Sequence, residues 1–156
     1  METRLLKSKE QSLGDAAVDG LLNGAAAGLI MALFLVGAGA LSGRAWTAVL
    51  ARFDPGAAAS PLVGAVTHLA VASVYGAIFG ATWRVAGRRA PRLPAWVAGV
   101  LYGVALWLVA LAVTSGGSAA AAGGGWLSGI PPVQLAAGHV LYGLALGLLI
   151  ARRPRH

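Results

Sequence analysis

The chain has 156 residues, of which 58% are hydrophobic and 11% charged. A water-soluble domain of this length could not bury so much apolar surface, which excludes an ordinary soluble protein. The formal charge of +7 lies at the ends of long apolar runs, where it suits anionic lipid headgroups better than nucleic acid. The absence of cysteine excludes disulfides and thiolate metal sites. We therefore predict an all-α polytopic membrane protein.

The first predicted span covers about residues 18–42, after a polar segment of residues 1–15 that we expect to be a cytoplasmic tail. Asp15 or Asp19 can cap this helix, because a carboxylate satisfies free N–H groups at the positive end of the helix dipole. Asn23 follows one turn deeper. A cleavable signal peptide is the alternative, but the apolar run exceeds the usual core of about 7–15 residues, which favours a retained helix.

Three further apolar runs predict spans over about residues 61–83, 95–114 and 133–151. Each is close to the roughly 20 residues needed to cross about 30 Å of hydrocarbon. Four spans in one domain, residues 1–156, predict two antiparallel hairpins.

Two connections join the helices within these hairpins. Segment 44–61 contains Trp46 and a turn-forming Asp54-Pro55-Gly56, which indicates an interfacial loop with a short amphipathic helix. Segment 115–132 is rich in glycine and serine, which predicts a flexible connector with Trp126 as an interface anchor.

The basic residues predict the orientation, because Lys and Arg are concentrated in cytoplasmic segments. With four spans, the N-terminus, the connection between the second and third spans, and the C-terminus share one side of the membrane. These three segments contain Arg4, Lys7 and Lys9, then Arg84, Arg88, Arg89 and Arg92, then Arg152, Arg153 and Arg155. We expect both termini to be cytoplasmic. The Ala-, Gly- and Arg-rich composition suggests a bacterial inner membrane.

Small residues recur every four positions in the spans, which places them on one helix face. Such small-xxx-small stripes allow helix backbones to approach closely in lipid. The predicted packing positions are Gly24, Gly28, Gly76, Gly80, Gly103, Gly143 and Gly147.

A histidine begins the small-residue stripe in two of the spans. His68 and His139 each stand seven residues after a proline, Pro61 and Pro132, that can begin a helix. The two imidazoles should therefore lie at similar depth. They predict either polar contacts between helices or axial ligands of one b-type haem. We expect no other metal site, because no third ligand of a suitable type accompanies them.

Three tyrosines precede glycines inside the spans: Tyr75, Tyr102 and Tyr142. A tyrosine buried in lipid needs a partner for its hydroxyl. The candidates in the sequence are His68, His139, Thr67, Ser73 and Gln134, and interhelical hydrogen bonds of this kind are worth about 1 kcal/mol each.

Asp19, together with the two histidines, also raises the possibility of a small transporter, since ionisable groups inside membranes are candidates for ion pathways. The chain contains no HExxH, GxSxG or Walker A motif. We therefore expect no catalytic residues and no enzymatic activity.

The last two spans contain AGVLYGVALWLVALAV and GHVLYGLALGLLIARR. These segments resemble a group of small, largely uncharacterised four-span bacterial inner-membrane proteins with H-x-x-YG-x-x-x-G in the last helix. The resemblance implies an integral membrane protein with a histidine in its final helix, here His139. The favoured prediction is a non-catalytic small subunit or assembly partner of a membrane complex, with small-residue stripes as the route to association with itself or with other helices. The alternative is a bis-histidine haem protein or small transporter using both histidines.

Overall fold

The computed structural model describes residues 12–56, 59–90, 92–115 and 129–152. These ranges contain five α-helices and no strand. The helices are α1 (Leu13–Leu41), α2 (Trp46–Ala51), α3 (Pro61–Arg89), α4 (Ala95–Ser115) and α5 (Pro132–Ala151). All except α2 are long and apolar enough to cross a membrane, which confirms the predicted polytopic all-α fold.

Two predictions lie wholly or mainly outside the described residues. The interface anchor Trp126 belongs to segment 116–128, and most of the predicted tail belongs to segment 1–11.

Helix α1 begins earlier than its predicted span, because Ser12 caps it. The Ser12 hydroxyl accepts a hydrogen bond from the Asp15 backbone N–H at 3.0 Å, and the Asp15 carboxylate accepts one from the Ser12 N–H at 3.0 Å. This reciprocal pair is a capping box. The prediction that Asp15 or Asp19 is the N-cap is therefore wrong: Asp15 is the third helical residue, and Asp19 lies inside the helix.

The connection between α1 and α3 contains the expected short helix, α2. It ends in a turn held by the buried side chain of Asp54, whose carboxylate accepts hydrogen bonds from the N–H groups of Gly56 at 2.8 Å and Ser60 at 2.7 Å. Ser60 is the N-cap of α3 and Pro61 its first residue. The prediction that this helix begins at the proline is confirmed.

Helix α3 continues past the predicted end of its span at Trp83. Arg84, Arg88 and Arg89 lie in its last turns instead of in a loop. Arginine side chains can extend toward the membrane surface while their backbone stays helical, so the beginning of the basic segment does not mark the end of the helix.

The four long helices form two antiparallel hairpins, α1 with α3 and α4 with α5. Helix α1 also packs against α5 and joins the hairpins, whereas α3 and α4 touch only weakly. The outside of the bundle is apolar: Leu33 is 64% exposed, Leu62 73% and Val133 80%. Such a surface is suited to lipid.

Glycines lie where the helices of each hairpin come closest. A Cβ added to Gly24 would be 2.7 Å from the Gly76 Cα, and one added to Gly143 would be 3.0 Å from the Gly103 Cα. Real Cβ atoms avoid backbone atoms at such distances. The approach of α1 to α3, and of α4 to α5, therefore depends on the missing side chains.

Replacing Gly76 by alanine should destabilise the bundle, because the new methyl group would meet the Gly20 carbonyl and the Gly24 Cα. Overpacking of this kind costs about 1–3 kcal/mol. The measurement is the thermal midpoint of the purified protein in mild detergent. Gly37→Ala is the matched control, since nothing lies within 4 Å of a Cβ at that position. Equal midpoints for the two variants would contradict the close-packing argument.

Candidate functional site

A cavity of about 110 Å³ lies between the two hairpins. It is nearer the end of the bundle at which α3 and α5 begin, which we call the α2 end. Both histidines line it, His68 from α3 and His139 from α5. The sequence placed these rings at similar depth, and the structure brings them to one cavity. Its other polar lining residues are Tyr75 and Tyr142, and the rest of the wall is apolar.

His68 is held in a fixed position on the cavity wall. Its side chain is 9% exposed, and its Nε2 lies 3.0 Å from the Gly28 carbonyl oxygen of α1. Because a carbonyl can only accept, Nε2 carries the hydrogen and donates it. In a neutral imidazole the remaining nitrogen, Nδ1, is then an acceptor. The ring also packs against Phe53, with centroids 4.6 Å apart.

His139 makes its hydrogen bond within its own helix. Its Nδ1 donates to the Leu135 carbonyl at 2.8 Å, which makes Nε2 the acceptor in the neutral ring. The two histidines therefore have opposite tautomers. The only N–H group of each ring donates to a backbone carbonyl, and the other ring nitrogen is an acceptor.

Two tyrosines connect the second hairpin to α3. The Tyr142 hydroxyl donates to the Ala72 carbonyl at 2.7 Å, and the Tyr102 hydroxyl donates to the Tyr75 carbonyl at 2.9 Å. The prediction that tyrosines bond to histidine, Thr67, Ser73 or Gln134 is wrong for these two hydroxyls. Backbone carbonyls of a helix retain a second lone pair, which tyrosines on neighbouring helices can reach.

The predicted polar residues of α1 lie far from this cavity. Asp19 and Asn23 lie in the N-terminal half of α1. The glycines of this half pack against Gly76 and Gly80 of α3. The amide nitrogen of Asn23 is buried without a hydrogen-bond partner in the described chain. The structure therefore does not bring Asp19 together with the histidines.

The cavity faces the outside of the bundle between α3 and α4. These two helices touch only weakly, and the lining residues Val109 and Val113 are also 51% and 53% exposed. Toward the interior of the membrane, the Tyr102 bond to Tyr75 closes the gap between the helices. The α4 wall of the cavity is thus continuous with the surface that faces lipid.

Sequence reasoning missed two contributions from the α2 end. Phe53 is buried against His68 although it lies in the predicted interfacial loop. The only indication of this burial in the sequence is that Phe53 directly precedes the Asp54 turn. The Arg44 guanidinium donates to the Gly129 carbonyl at 2.7 Å. This bond ties the segment before α2 to the residues that precede α5.

The arrangement constrains what the histidines can bind. The predicted haem would lie against the glycine faces below His68 and His139, yet these faces are covered by α1 and α4. With a cavity of about 110 Å³, haem binding would require the hairpins to separate. Haem ligation stays a prediction. Within the described ranges, no group of three or more His, Asp or Glu residues could hold a metal ion.

Comparisons with protein-family models, curated proteins and solved structures give no match to this chain. The resemblance to small four-span inner-membrane proteins therefore stays a prediction, and the function must be argued from the cavity itself.

Replacing Tyr142 by phenylalanine should lower the free energy of unfolding by about 1 kcal/mol, because one interhelical hydrogen bond is lost. Titration of the folded protein in mild detergent with a denaturing detergent measures this change. Tyr75→Phe is the control, since Tyr75 contributes its carbonyl to the network and not its hydroxyl. If both variants lose the same stability, the bond to Ala72 is not what joins the hairpins.

Proposed function

We propose that this protein is a non-enzymatic integral membrane protein that binds a small molecule in the cavity between its hairpins. The observation that carries this proposal is the meeting of His68 and His139, from different hairpins, at one cavity whose wall is mostly apolar. Polar side chains inside a membrane are costly and mark functional positions by default. Two such side chains around one space favour a ligand site over separate packing contacts.

The hydrogen bond of His139 supports the same proposal. A side chain that only joins helices would direct its polar atoms at protein partners. His139 instead bonds to a carbonyl of its own helix, so this bond joins no two helices. It orients the ring at the cavity wall with one acceptor nitrogen left for another molecule.

A role as an assembly partner has less support from the geometry. That prediction depends on small-residue stripes that remain exposed for association with other helices. Gly24, Gly76, Gly103 and Gly143 instead contact partner helices within their own hairpins. The absence of catalytic motifs in the sequence favours binding without chemistry, so we propose a small binding component of the membrane.

Filling the cavity should abolish ligand retention. Ala110 lines the cavity, and phenylalanine at this position would occupy much of its volume. Native mass spectrometry of protein purified in mild detergent from its own membranes should show a bound small molecule in the wild type, and none in Ala110→Phe.

The matched control is Ala105→Phe, which adds the same side chain to the exposed face of the same helix and should retain the bound mass. A bound mass that is equal in all three proteins, or missing from all three, would contradict the proposed function.

We also propose that both termini are cytoplasmic, from the distribution of basic residues. Alkaline phosphatase, which is active only outside the cytoplasm, should be inactive when fused after Arg92 and active when fused after Gly56. The opposite pattern of activity would reverse the orientation, and activity at both positions would contradict the four-span topology.

A further inference from the structure

Most of the polar groups that line the cavity donate their hydrogen atoms to backbone carbonyls. His68 donates to Gly28, His139 to Leu135 and Tyr142 to Ala72. What remains is acceptor capacity: Nδ1 of His68, Nε2 of His139 and the lone pairs of the Tyr142 hydroxyl. Tyr75 can either donate or accept. A ligand that brings hydrogen-bond donors is therefore complementary to most of this set.

The shape of the cavity restricts the ligand further. An apolar protein cavity of about 150 Å³ can hold benzene, and this cavity of about 110 Å³ continues into the surface between α3 and α4. Because this volume is smaller than that of the benzene-binding cavity, it limits the ligand core to one six-membered ring, whose substituents must extend through the gap. The remaining wall, from Met31 and Phe53 to Leu106 and Leu135, is apolar and suits an aromatic ring.

The gap between α3 and α4 determines the route of access. It is bordered by Val109 and Val113, which are half exposed on the outside of the bundle. Because both helices are long and apolar enough to span a membrane, a molecule can enter between them from the lipid. An apolar tail attached to the ring could stay in the bilayer while the ring lies in the cavity.

We infer that the cavity binds the head group of a lipid-soluble dihydroxy aromatic compound, the chemical class of isoprenoid quinols, with its hydroxyl groups donating to His68 Nδ1 and His139 Nε2. This inference rests on the proposed function and adds the ligand class to it. The oxidised form, a quinone, has two carbonyl acceptors and no donor. A site that hydrogen-bonds a hydroxyl discriminates against an analogue without it, so the reduced form binds more tightly.

The test uses the full-length protein in lipid nanodiscs with ¹⁵N-labelled histidine. His156→Ala removes the only other histidine, so that two imidazoles are observed. Decylubiquinol is titrated without oxygen and in the presence of a reductant. The unprotonated nitrogen resonances of both rings should shift upfield as they accept hydrogen bonds, while the protonated nitrogens, already bonded to carbonyls, should change little.

Four variants and one analogue test the assignment. The affinity for decylubiquinol should fall about tenfold in His68→Leu and in His139→Leu, because each loses one hydrogen bond to the ligand. Ala110→Phe should abolish the shifts, and Ala105→Phe should leave them unchanged. Decylubiquinone, the oxidised analogue, should bind at least about tenfold more weakly than the quinol.

The possible failures are distinguishable. If decylubiquinol leaves both imidazoles unchanged while the purified protein retains a mass that Ala110→Phe loses, the ligand class is wrong and the proposed function stands. Equal affinities for quinol and quinone would overturn the argument from donors and acceptors. If the quinol causes no shift and no mass is retained, the proposed function is wrong as well.

Discussion

The close approach of helix backbones at glycine is the constraint on which the rest of this structure depends. In lipid there is no hydrophobic gain from bringing two apolar helices together, so association depends on packing and hydrogen bonds. Gly24 against Gly76, and Gly103 against Gly143, bring the backbones of each hairpin so close that no Cβ fits between them. In both hairpins, glycine is the residue that allows the backbones to approach.

The histidines stand where this close packing ends. Gly28 of α1 faces Ala72, one turn from His68 in α3, and Gly103 of α4 faces the His139 backbone. Toward the α2 end, larger residues line the space between the hairpins, among them Met31, Phe53, Leu106 and Leu135. The imidazoles lie at the border of this space because each histidine begins the small-residue stripe of its own helix. Packing and site are therefore products of one sequence pattern.

Much of this architecture could be predicted because its signals are local. Hydropathy indicates the four spans, and Pro61 and Pro132 give the first residues of α3 and α5. The equal spacing from each proline to its histidine gives their common depth. The end of α3 was harder to predict, because Arg84 begins a basic segment without ending the helix. The cap of α1 was assigned to a carboxylate, whereas Ser12 provides it and Asp15 completes it.

The polar partners could not be predicted, because they depend on how the hairpins are rotated against each other. Tyr102 and Tyr142 bond to carbonyls of α3, and every residue of a sequence offers the same carbonyl. The tautomers of the histidines are likewise set by backbone atoms, Gly28 and Leu135. Side-chain identities alone therefore contain no signal for these bonds, nor for the cavity that they surround.

The pairing of neighbouring helices has a consequence for the order of assembly. Because α1 pairs with α3, the glycine contacts of the first hairpin involve only residues before Arg89, and they can form while the second hairpin is still being synthesised. The bonds from Tyr102, Tyr142 and Arg44 to the opposite hairpin require the whole chain. The cavity therefore requires both hairpins, because each hairpin alone has only half of its wall.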